Sequence, residues 1–291
     1  MKISVLTPAP GVYEGVWPEF LPRYAAPLAE AGAELISLPW TDAAERPPEA
    51  DLVVPLVAWG YHLQLHRWFD TLDALERAGV RVANPPSVLR WNADKSYLQR
   101  LEANGAPTVP TLFVDQADAA ALARAFDTFG VDEVVAKPRV SGGAHGTIRV
   151  KPGGSLAGGP DGPAMIQPFL PSVGEGGELS LLFFNRRFSH ALTKTAAPGD
   201  FRVQPQFGGA LQAVEPPADA LAVAEQVLAA VHEPLLYARV DMLRDREGAW
   251  RLIELELIEP HLFLDQAPDR GRAFAEAAEA WAASNSGREG H

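Results

Sequence analysis

Residues 239–261 contain two runs of alternating apolar residues separated by Glu247-Gly248, and this pattern predicts an antiparallel hairpin. Side chains on a strand point alternately to its two faces, so Glu254 and Glu256 share one face. The opposite face takes the apolar residues Ile253, Leu255 and Leu257. If Glu247-Gly248 is a two-residue turn, then residue 246 pairs with residue 249, and Asp241 lies opposite Glu254.

The predicted hairpin therefore concentrates three carboxylates on one patch of a sheet. Like charges placed opposite each other destabilise a sheet, so we expect a cation in the same place. A hard divalent ion suits oxygen ligands, and Mg²⁺ is usually held by one or two carboxylates together with substrate phosphates. The alternative is an acidic hairpin face that is simply solvated. The hairpin alone leaves both interpretations open.

The composition narrows the classes of protein to which the chain can belong. Its 291 residues suffice for two or three lobes with a sizeable core. No apolar run approaches the roughly 18–20 residues of a membrane span, and Pro8 and Pro10 follow the first strand too soon for a signal peptide. The absence of cysteine excludes disulfides and Cys-ligated zinc, and a net charge of −12 argues against nucleic-acid binding. We therefore expect a cytoplasmic protein with neither nucleic acid nor membrane as a partner.

Strands and helices alternate over residues 1–90, which predicts an α/β lobe built on a parallel sheet. The four predicted strands of this lobe cover residues 3–6, 34–38, 51–57 and 80–83. Farther along the chain, helical spacing predicts helices over residues 92–104, 118–129, 218–231 and 270–283. Alternating apolar residues predict an antiparallel pair of strands over residues 179–184 and 188–194.

Lys137 ends an apolar strand and is followed by a loop of small residues, Ser141-Gly142-Gly143-Ala144-His145-Gly146. Small residues let backbone N–H groups approach a phosphate closely, and a nearby lysine adds a point charge. The alternative is an ordinary hairpin loop that follows a solvent-exposed lysine. The chain contains neither GxxxxGKS/T nor GxGxxG, so a P-loop or a Rossmann fingerprint does not explain this loop.

Two further patterns are compatible with nucleotide binding. Lys95 stands near the start of the predicted helix 92–104, where the helix dipole disfavours a cation. This position indicates either a functional lysine or an ordinary surface lysine. The strand over residues 165–170 is interrupted by Pro168, so its free backbone groups could contact an adenine edge, although an edge strand explains the same residues.

The remaining candidates are cations and histidines. Lys194 and Arg202 flank a polar loop, and the planar fork of an arginine suits phosphate. His62 and His66 are four residues apart on a predicted helix, which is a spacing used by metal pairs. No third ligand lies nearby in sequence, which favours two ordinary polar residues over a metal site.

The order of these features along the chain resembles the ATP-grasp superfamily, on the branch of prokaryotic glutathione synthetase and RimK-like ligases. The resemblance covers about residues 85–285, and residues 1–90 resemble the pre-ATP-grasp domain. It implies that the nucleotide is held by Lys95, Lys137, Ser141, Gly142, Gly143, Gly146, Gln167, Pro168, Phe169, Leu170, Glu178, Lys194 and Arg202. It also implies catalytic parts for Lys137 and Arg202, and the metal ligands Asp241, Glu254 and Glu256.

Glu256 departs from this family. Its members usually show Glu-x-Asn-x-x-x-Pro where this chain has Glu254-Leu-Glu256-Leu-Ile-Glu259-Pro260. A third carboxylate in place of an amide adds negative charge and should tighten the binding of a divalent ion. Residues 59–62, 90–95 and 254–263 also resemble the O-ureido-serine cyclo-ligases of D-cycloserine biosynthesis.

The resemblance implies an α/β fold with α+β lobes: a Rossmann-like domain (1–90), a small ATP-grasp lobe (91–163) and a large lobe (164–285). It implies a ligase that phosphorylates a carboxylate with ATP and then forms an amide with an amine, between two molecules or within one. ATP and Mg²⁺ are the implied cofactors, with Mn²⁺ as an alternative metal. The implied partners are amino-acid or peptide-like substrates, and the implied assembly is a homo-oligomer. A phosphotransferase and a non-catalytic ATP-binding sensor are the alternatives.

Overall fold

The computed structural model describes residues 1–9, 11, 13, 15–203 and 207–284. The N-terminal lobe is built on a short parallel sheet, as predicted. In chain order its elements are β1 (Lys2–Thr7), α1 (Leu21–Glu30), β2 (Glu34–Pro39), β3 (Leu52–Val54) and α2 (Leu65–Arg77). The strand order is β2-β1-β3. Parallel neighbours need a crossover connection, which α1 supplies between β1 and β2.

The predicted fourth strand over residues 80–83 is wrong. Its backbone meets the sheet at an isolated bridge to β3 and forms no ladder. Asn84, which follows directly, donates hydrogen bonds of 2.9 Å from Nδ2 to the carbonyl oxygens of Tyr237 and Leu257. These bonds attach the chain to the C-terminal half of the protein, so the sheet ends and the helix α3 (Pro86–Asn92) begins.

The predicted helix over residues 92–104 is two helices, α3 and α4 (Tyr97–Ala103), separated by a turn. The Asp94 carboxylate competes with the helix by accepting a hydrogen bond from the backbone N–H of Ser96 at 2.8 Å. The backbone N–H of Lys95 donates outside the helix, to the carbonyl oxygen of Arg139 at 2.9 Å. Lys95 therefore lies in the turn rather than in the first turn of a long helix.

The second sheet is antiparallel and has four strands in the order β4-β7-β5-β6. Its elements are β4 (Leu112–Val114), α5 (Ala119–Phe129), β5 (Val134–Pro138), β6 (Ile148–Val150) and β7 (Ala164–Pro168). The Asp118 carboxylate caps α5 by accepting a hydrogen bond from the backbone N–H of Ala121 at 2.7 Å. The predicted boundary between residues 163 and 164 precedes β7, which pairs with β4 and β5. The division into three domains stays a prediction.

The third sheet is antiparallel and has five strands in the order β10-β9-β8-β11-β12. The elements of this part are α6 (Ser172–Glu175), β8 (Glu178–Phe184), β9 (Arg187–Thr195), β10 (Ala210–Val214), α7 (Ala218–Ala229), β11 (Tyr237–Arg244), β12 (Trp250–Glu256) and α8 (Arg272–Ala283). The predicted pairing of β8 with β9 is confirmed. The strand β10 has no counterpart among the predictions.

The predicted alignment of Asp241 with Glu254 is confirmed, but two deviations combine to produce it. The turn is longer than two residues, because the backbone N–H of Asp245 donates to the carbonyl oxygen of Ala249. A bulge at Ile253 then restores the register. The bulge also moves the Ile253 side chain away from the face of Leu255, so the prediction that these two side chains share a face is wrong.

The main cores lie on the two faces of the five-stranded sheet. One core packs α4 and α7 against β8, β11 and β12. The other joins the N-terminal lobe and α8 to the opposite face, through large side chains that include Phe184, Tyr237 and Phe274. This second core fixes the N-terminal lobe next to the end of β12. Among the described helices, none combines the length and the apolar character that a membrane crossing requires.

Candidate active site

The β11–β12 hairpin brings the three predicted metal ligands together. Carboxylate oxygens of Asp241, Glu254 and Glu256 all lie within 4.8 Å of one another. Asp241 is buried at 2% exposure, whereas Glu254 and Glu256 are half-buried and open toward the space beside the sheet. Three oxygen donors at this spacing fit one hard divalent ion, with further positions left for phosphate or water.

Two side chains of the protein supply part of the positive charge that the hairpin needs. Lys194 Nζ lies 2.7 Å from Glu178 Oε1 and 3.2 Å from Asp241 Oδ2. The guanidinium of Arg239 donates to Asp241 Oδ2 at 2.8 Å and forms an ion pair with Glu256. The sheet register explains the first group, because Glu178 pairs directly with Lys194 on β8 and β9.

Burial and the neighbouring charges shift the pKa values of the carboxyl groups in this cluster. Burial acts to raise the pKa of Asp241, but the neighbouring Arg239 and Lys194 outweigh burial and lower it. Burial raises the pKa of Glu256 to about 7, and the charges of Glu254 and Asp241 add to this effect while Arg239 opposes it. Burial likewise raises the pKa of Glu178. The protein's own cations thus leave room for a metal ion, and the donor set fits Mg²⁺.

Lys95 joins the glycine loop (residues 141–146) to the acidic hairpin. Its Nζ donates to the carbonyl oxygen of Ser141 at 2.9 Å and to Ser141 Oγ at 3.3 Å. The same atom lies 3.4 Å from Glu254 Oε1. An ion pair of 2.7 Å between Arg139 and Asp94 holds the turn from which Lys95 projects. Three features from separate parts of the sequence therefore meet at one ammonium group.

Lys137, at the end of β5, makes no ion pair within the described part of the chain. Burial lowers the pKa of Lys137, while the charge of Glu254 acts to raise it, so the two groups are close. A half-buried lysine without an anionic partner is suited to accept the charge of a phosphate.

The glycine loop follows a path that larger residues would obstruct. Gly146 has φ of +68°, and a Cβ atom built on it would lie 2.8 Å from Pro138 Cγ. A Cβ atom on Gly142 would lie 3.0 Å from the ring of His62, so the loop rests against the N-terminal lobe. Gly143 also has a positive φ, of 59°. The loop backbone can therefore approach a bound phosphate closely.

Two residues of the strand predicted to contact adenine belong to an apolar cluster that includes Leu243 of the hairpin. Phe169 and Leu170 pack with Val109, Val135, Val173, Val203 and Leu243, and Ile253 joins them because of the bulge. Gln167 Nε2 donates to Thr111 Oγ1 at 2.9 Å, so its side chain is satisfied within the protein. Pro168 ends β7, and the next N–H, of Phe169, donates to the carbonyl oxygen of Glu133. The cluster offers a flat aromatic ligand an apolar surface.

Arg202 is paired with a carboxylate outside the acidic hairpin. Its guanidinium forms an ion pair of 2.7 Å with Asp200 and stands 3.7 Å above the ring of Phe207. Within the described residues, its hydrogen bonds go to Asp200 and none reaches the acidic hairpin. The nucleotide-binding and catalytic parts assigned to Arg202 stay predictions.

Sequence reasoning missed several polar residues of this region. Arg239 precedes Asp241 by two residues on the same strand, so the alternation that grouped the acidic residues could have included it. His62 contacts the glycine loop, and burial lowers its pKa to about 4 with a further contribution from Lys95. His62 and His66 belong to no group of metal-ligating residues within the described ranges. Glu259, a half-buried residue just beyond β12 whose Oε2 is buried, appeared in the sequence only as part of the motif that ends at Pro260.

Comparison with known proteins identifies the family to which the chain belongs. Residues 11–84 match the family model of the N-terminal domain of D-cycloserine synthetase DcsG. The cycloserine biosynthesis protein DcsG of Streptomyces lavendulae is 33% identical over 223 residues, which span 68% of this chain and 72% of that protein. The glutathione synthetase of Prochlorococcus marinus is 31% identical over 239 residues, which span 77% of this chain and 70% of that protein. The crystal structure of D-cycloserine synthetase DcsG superposes with a TM-score of 0.79 at 26% identity, over 97% of this chain and 100% of that one.

These matches extend over most of the chain and of each relative, and they confirm both the predicted fold class and the predicted resemblance. The chain therefore belongs to the ATP-grasp ligases, enzymes that use ATP to join a carboxylate to an amine, and it is similar to the members that take part in cycloserine biosynthesis.

Proposed function

We propose that this ligase binds ATP and Mg²⁺ between the β11–β12 hairpin and the glycine loop, and that it activates an amino-acid-like carboxylate there. The observation that carries the proposal is the position of Lys95 Nζ, 2.9 Å from the Ser141 carbonyl oxygen and 3.4 Å from Glu254 Oε1. A cation, a loop of small residues and a metal-type acidic group are the parts that a triphosphate site requires.

Each part of the site has a role in this proposal. Asp241, Glu254 and Glu256 would hold Mg²⁺, with Mn²⁺ as the alternative metal. When bound, the metal would neutralise charge on the phosphate oxygens. Lys137 and Lys95 neutralise the triphosphate, and the glycine loop excludes water, which would otherwise hydrolyse an acyl phosphate. No covalent nucleophile of the protein is required, because positioning and charge neutralisation carry phosphoryl transfer.

The nucleoside end of ATP lies, in this proposal, against the cluster that contains Phe169 and Leu170. Backbone groups near Gln167 and Pro168 would contact adenine. Glu178 Oε1 is engaged by Lys194, which leaves its second oxygen for a ribose hydroxyl. Lys194 itself then acts on the nucleotide through Glu178 and Asp241 rather than by direct contact.

The proposed substrates are an amino-acid or peptide-like carboxylate and an amine. Two relatives are named for cycloserine biosynthesis and for glutathione synthesis, which supports amino-acid chemistry. The match of residues 11–84 to the N-terminal domain of a D-cycloserine synthetase favours ring closure within one molecule. The homo-oligomer and the cytoplasmic location implied by the sequence stay predictions.

The test measures ADP release with Mg²⁺ and ATP in the presence of amino acids, peptides and ureido-amino acids. We expect one class of acceptor to stimulate ADP release and to yield an amide or a cyclic product. Lys137→Ala and Glu254→Ala should each abolish the stimulation, whereas Lys2→Ala, an exposed lysine, should not. A stable phosphorylated product would instead indicate a phosphotransferase. ATP binding without turnover would indicate a sensor, and full turnover in either site variant would refute the assigned site.

A further inference from the structure

The carboxyl oxygen Oε2 of Glu259 is buried, and no donor in the described ranges of the chain reaches it. Within the described residues, its Oε2 is the only buried carboxyl oxygen without a hydrogen-bond partner. Every other acidic residue of the cluster has a cation beside it: Asp241 and Glu256 have Arg239, and Glu254 has Lys95. Leaving a buried polar group unpaired costs free energy, so the protein retains this carboxyl at the expense of stability.

Glu259 lies close in sequence to the hairpin residues that are proposed to bind the metal and ATP. It follows Glu256 by three residues, where the chain leaves the hairpin and meets the N-terminal lobe. Burial raises the pKa of Glu259, and Glu256 raises it further, while Lys95 and Arg239 act to lower it. The charges of Glu256, Lys95 and Arg239 therefore influence the pKa of this carboxyl, but none of these groups forms a hydrogen bond with its Oε2.

A series of aromatic contacts leads from His261, the second residue after Glu259, into the N-terminal lobe. The rings of Tyr13 and Trp59 are 5.8 Å apart, and those of Phe20 and Trp59 are 4.9 Å apart. The ring of Phe20 lies 4.7 Å from that of His261, the second residue after Glu259. Burial raises the pKa of Tyr13 and the charge of Glu259 adds to this effect, which places the phenol near the carboxyl.

The neighbouring histidine does not supply the missing charge. Burial lowers the pKa of His261 to about 3, and Arg239 acts in the same direction, so the imidazole is neutral. A second divalent ion is also a poor partner, because it needs several oxygen ligands and Glu259 belongs to no group of three metal-ligating residues in the described ranges. Aromatic faces and a lone carboxylate are, in contrast, the surroundings that an organic cation prefers.

We propose that Glu259 is the counter-ion of a substrate ammonium group, in a subsite walled by Tyr13, Trp59 and Phe20. This inference rests on the proposed ligase function and specifies its substrate class as an amino acid with a free ammonium group. The substrate carboxylate lies toward Lys95 and Arg239 for activation, and its ammonium lies toward Glu259. Opposite charges at the two ends fix the direction of the substrate and reject acids that lack the ammonium.

The test compares Glu259→Gln with the wild-type protein. Glutamine keeps the shape of the side chain and removes its charge, and Glu225→Gln on the exposed face of α7 is the matched control. The probes are the D and L forms of the proteinogenic amino acids together with ureido-amino acids, followed by tryptophan fluorescence, to which Trp59 contributes. Each amino acid that binds is then compared with its 2-hydroxy acid, which lacks the ammonium.

We expect wild-type protein to prefer the amino acid over its hydroxy acid by about tenfold or more. Glu259→Gln should weaken amino-acid binding by about 10- to 100-fold and remove that preference, while ATP binding changes by less than about twofold.

Three results would overturn the inference: unchanged amino-acid binding in Glu259→Gln, equal binding of the amino acid and its hydroxy acid, or no amino-acid binding by the wild type. These results are separate from failure of the ligase proposal. If amino acids bind in a Glu259-dependent manner but release no ADP, the ammonium subsite stands and the ligase proposal is refuted. If ADP release requires an acid without an ammonium group, the ligase proposal stands and the subsite is refuted.

Discussion

Lys194→Met would remove the ammonium group that holds two buried carboxylates together. The side chains of Lys194, Glu178 and Asp241 are exposed by only 7%, 11% and 2%, so solvent contributes little compensation. Methionine has nearly the same length and no charge, so it preserves packing. The substitution therefore isolates the electrostatic part of the cluster.

The expected loss of folding stability depends on the partners that each carboxylate keeps in the variant. Asp241 keeps Arg239 at 2.8 Å and a hydrogen bond from Ser180, whereas Glu178 loses the only salt bridge that it makes within the described residues. Removing one partner of a buried pair costs about 3–5 kcal/mol. Burial already raises the pKa of Glu178, and uptake of a proton limits the cost, so we expect about 3 kcal/mol. At about 2–4 °C for each kcal/mol, the unfolding temperature should fall by about 6–12 °C.

The assay is thermal unfolding of the nucleotide-free protein, with Lys2→Met as the exposed control. The double variant Lys194→Met with Glu178→Gln should recover much of the loss, because the orphaned charge is then absent. If Lys194 served only to contact ATP, the nucleotide-free protein would be unaffected. A shift below about 1 °C, or a double variant no more stable than the single one, would refute the reasoning.

Three other perturbations have definite expected outcomes. Glu256→Asn restores the residue usual in the family and removes one negative charge from the group of three carboxylates, so the Mg²⁺ concentration for half-maximal ADP release should rise about tenfold. An unchanged Mg²⁺ requirement would refute the idea that the charge of Glu256 tightens metal binding. Gly142→Ala places a methyl group 3.0 Å from the His62 ring, so ADP release should slow several-fold, while Gly174→Ala, which has open space, should have no effect. Burial lowers the pKa of His62 to about 4 and of His261 to about 3, so each of these imidazoles binds fewer protons in the folded protein than in the unfolded chain below pH 6.5. Each histidine should therefore contribute a loss of stability of up to about 1.4 kcal/mol per pH unit on acidification, which the Glu256 carboxyl opposes because its pKa is raised to about 7. Compared with the wild type, His261→Asn should lose less stability on acidification in denaturant titrations, and an identical pH dependence would refute this reasoning.

The periodicity of the sequence was sufficient to predict most of the helices and strands and to identify the acidic residues of the β11–β12 hairpin. Alternation along residues 250–256 places Glu254 and Glu256 on one face, and this relation depends only on the geometry of a strand. The glycine loop was predicted to bind phosphate because its small residues allow backbone N–H groups to approach a ligand closely. The alignment of Asp241 with Glu254 was predicted correctly although the turn was not, since the bulge at Ile253 offset the longer turn.

Errors arose where side chains bond to the backbone or across lobes. The fourth strand of the N-terminal lobe was predicted from apolar residues, but hydrogen bonds from Asn84 to the C-terminal half end the sheet. The helix expected over residues 92–104 is divided because the Asp94 carboxylate competes for a backbone N–H. None of these hydrogen bonds produces a periodic pattern in the sequence.

The sequence alone indicated which residues are candidates for binding phosphate or metal, and which strands and loops carry them. The pairing of each charge with its partner became visible in the folded protein. Lys95 reaches Glu254 across 159 positions of sequence, Arg239 pairs with Glu256, and Glu259 is left without a cation. The reason is physical: periodicity reports the face on which a side chain lies, whereas ion pairing and burial depend on neighbours that folding brings from distant parts of the chain.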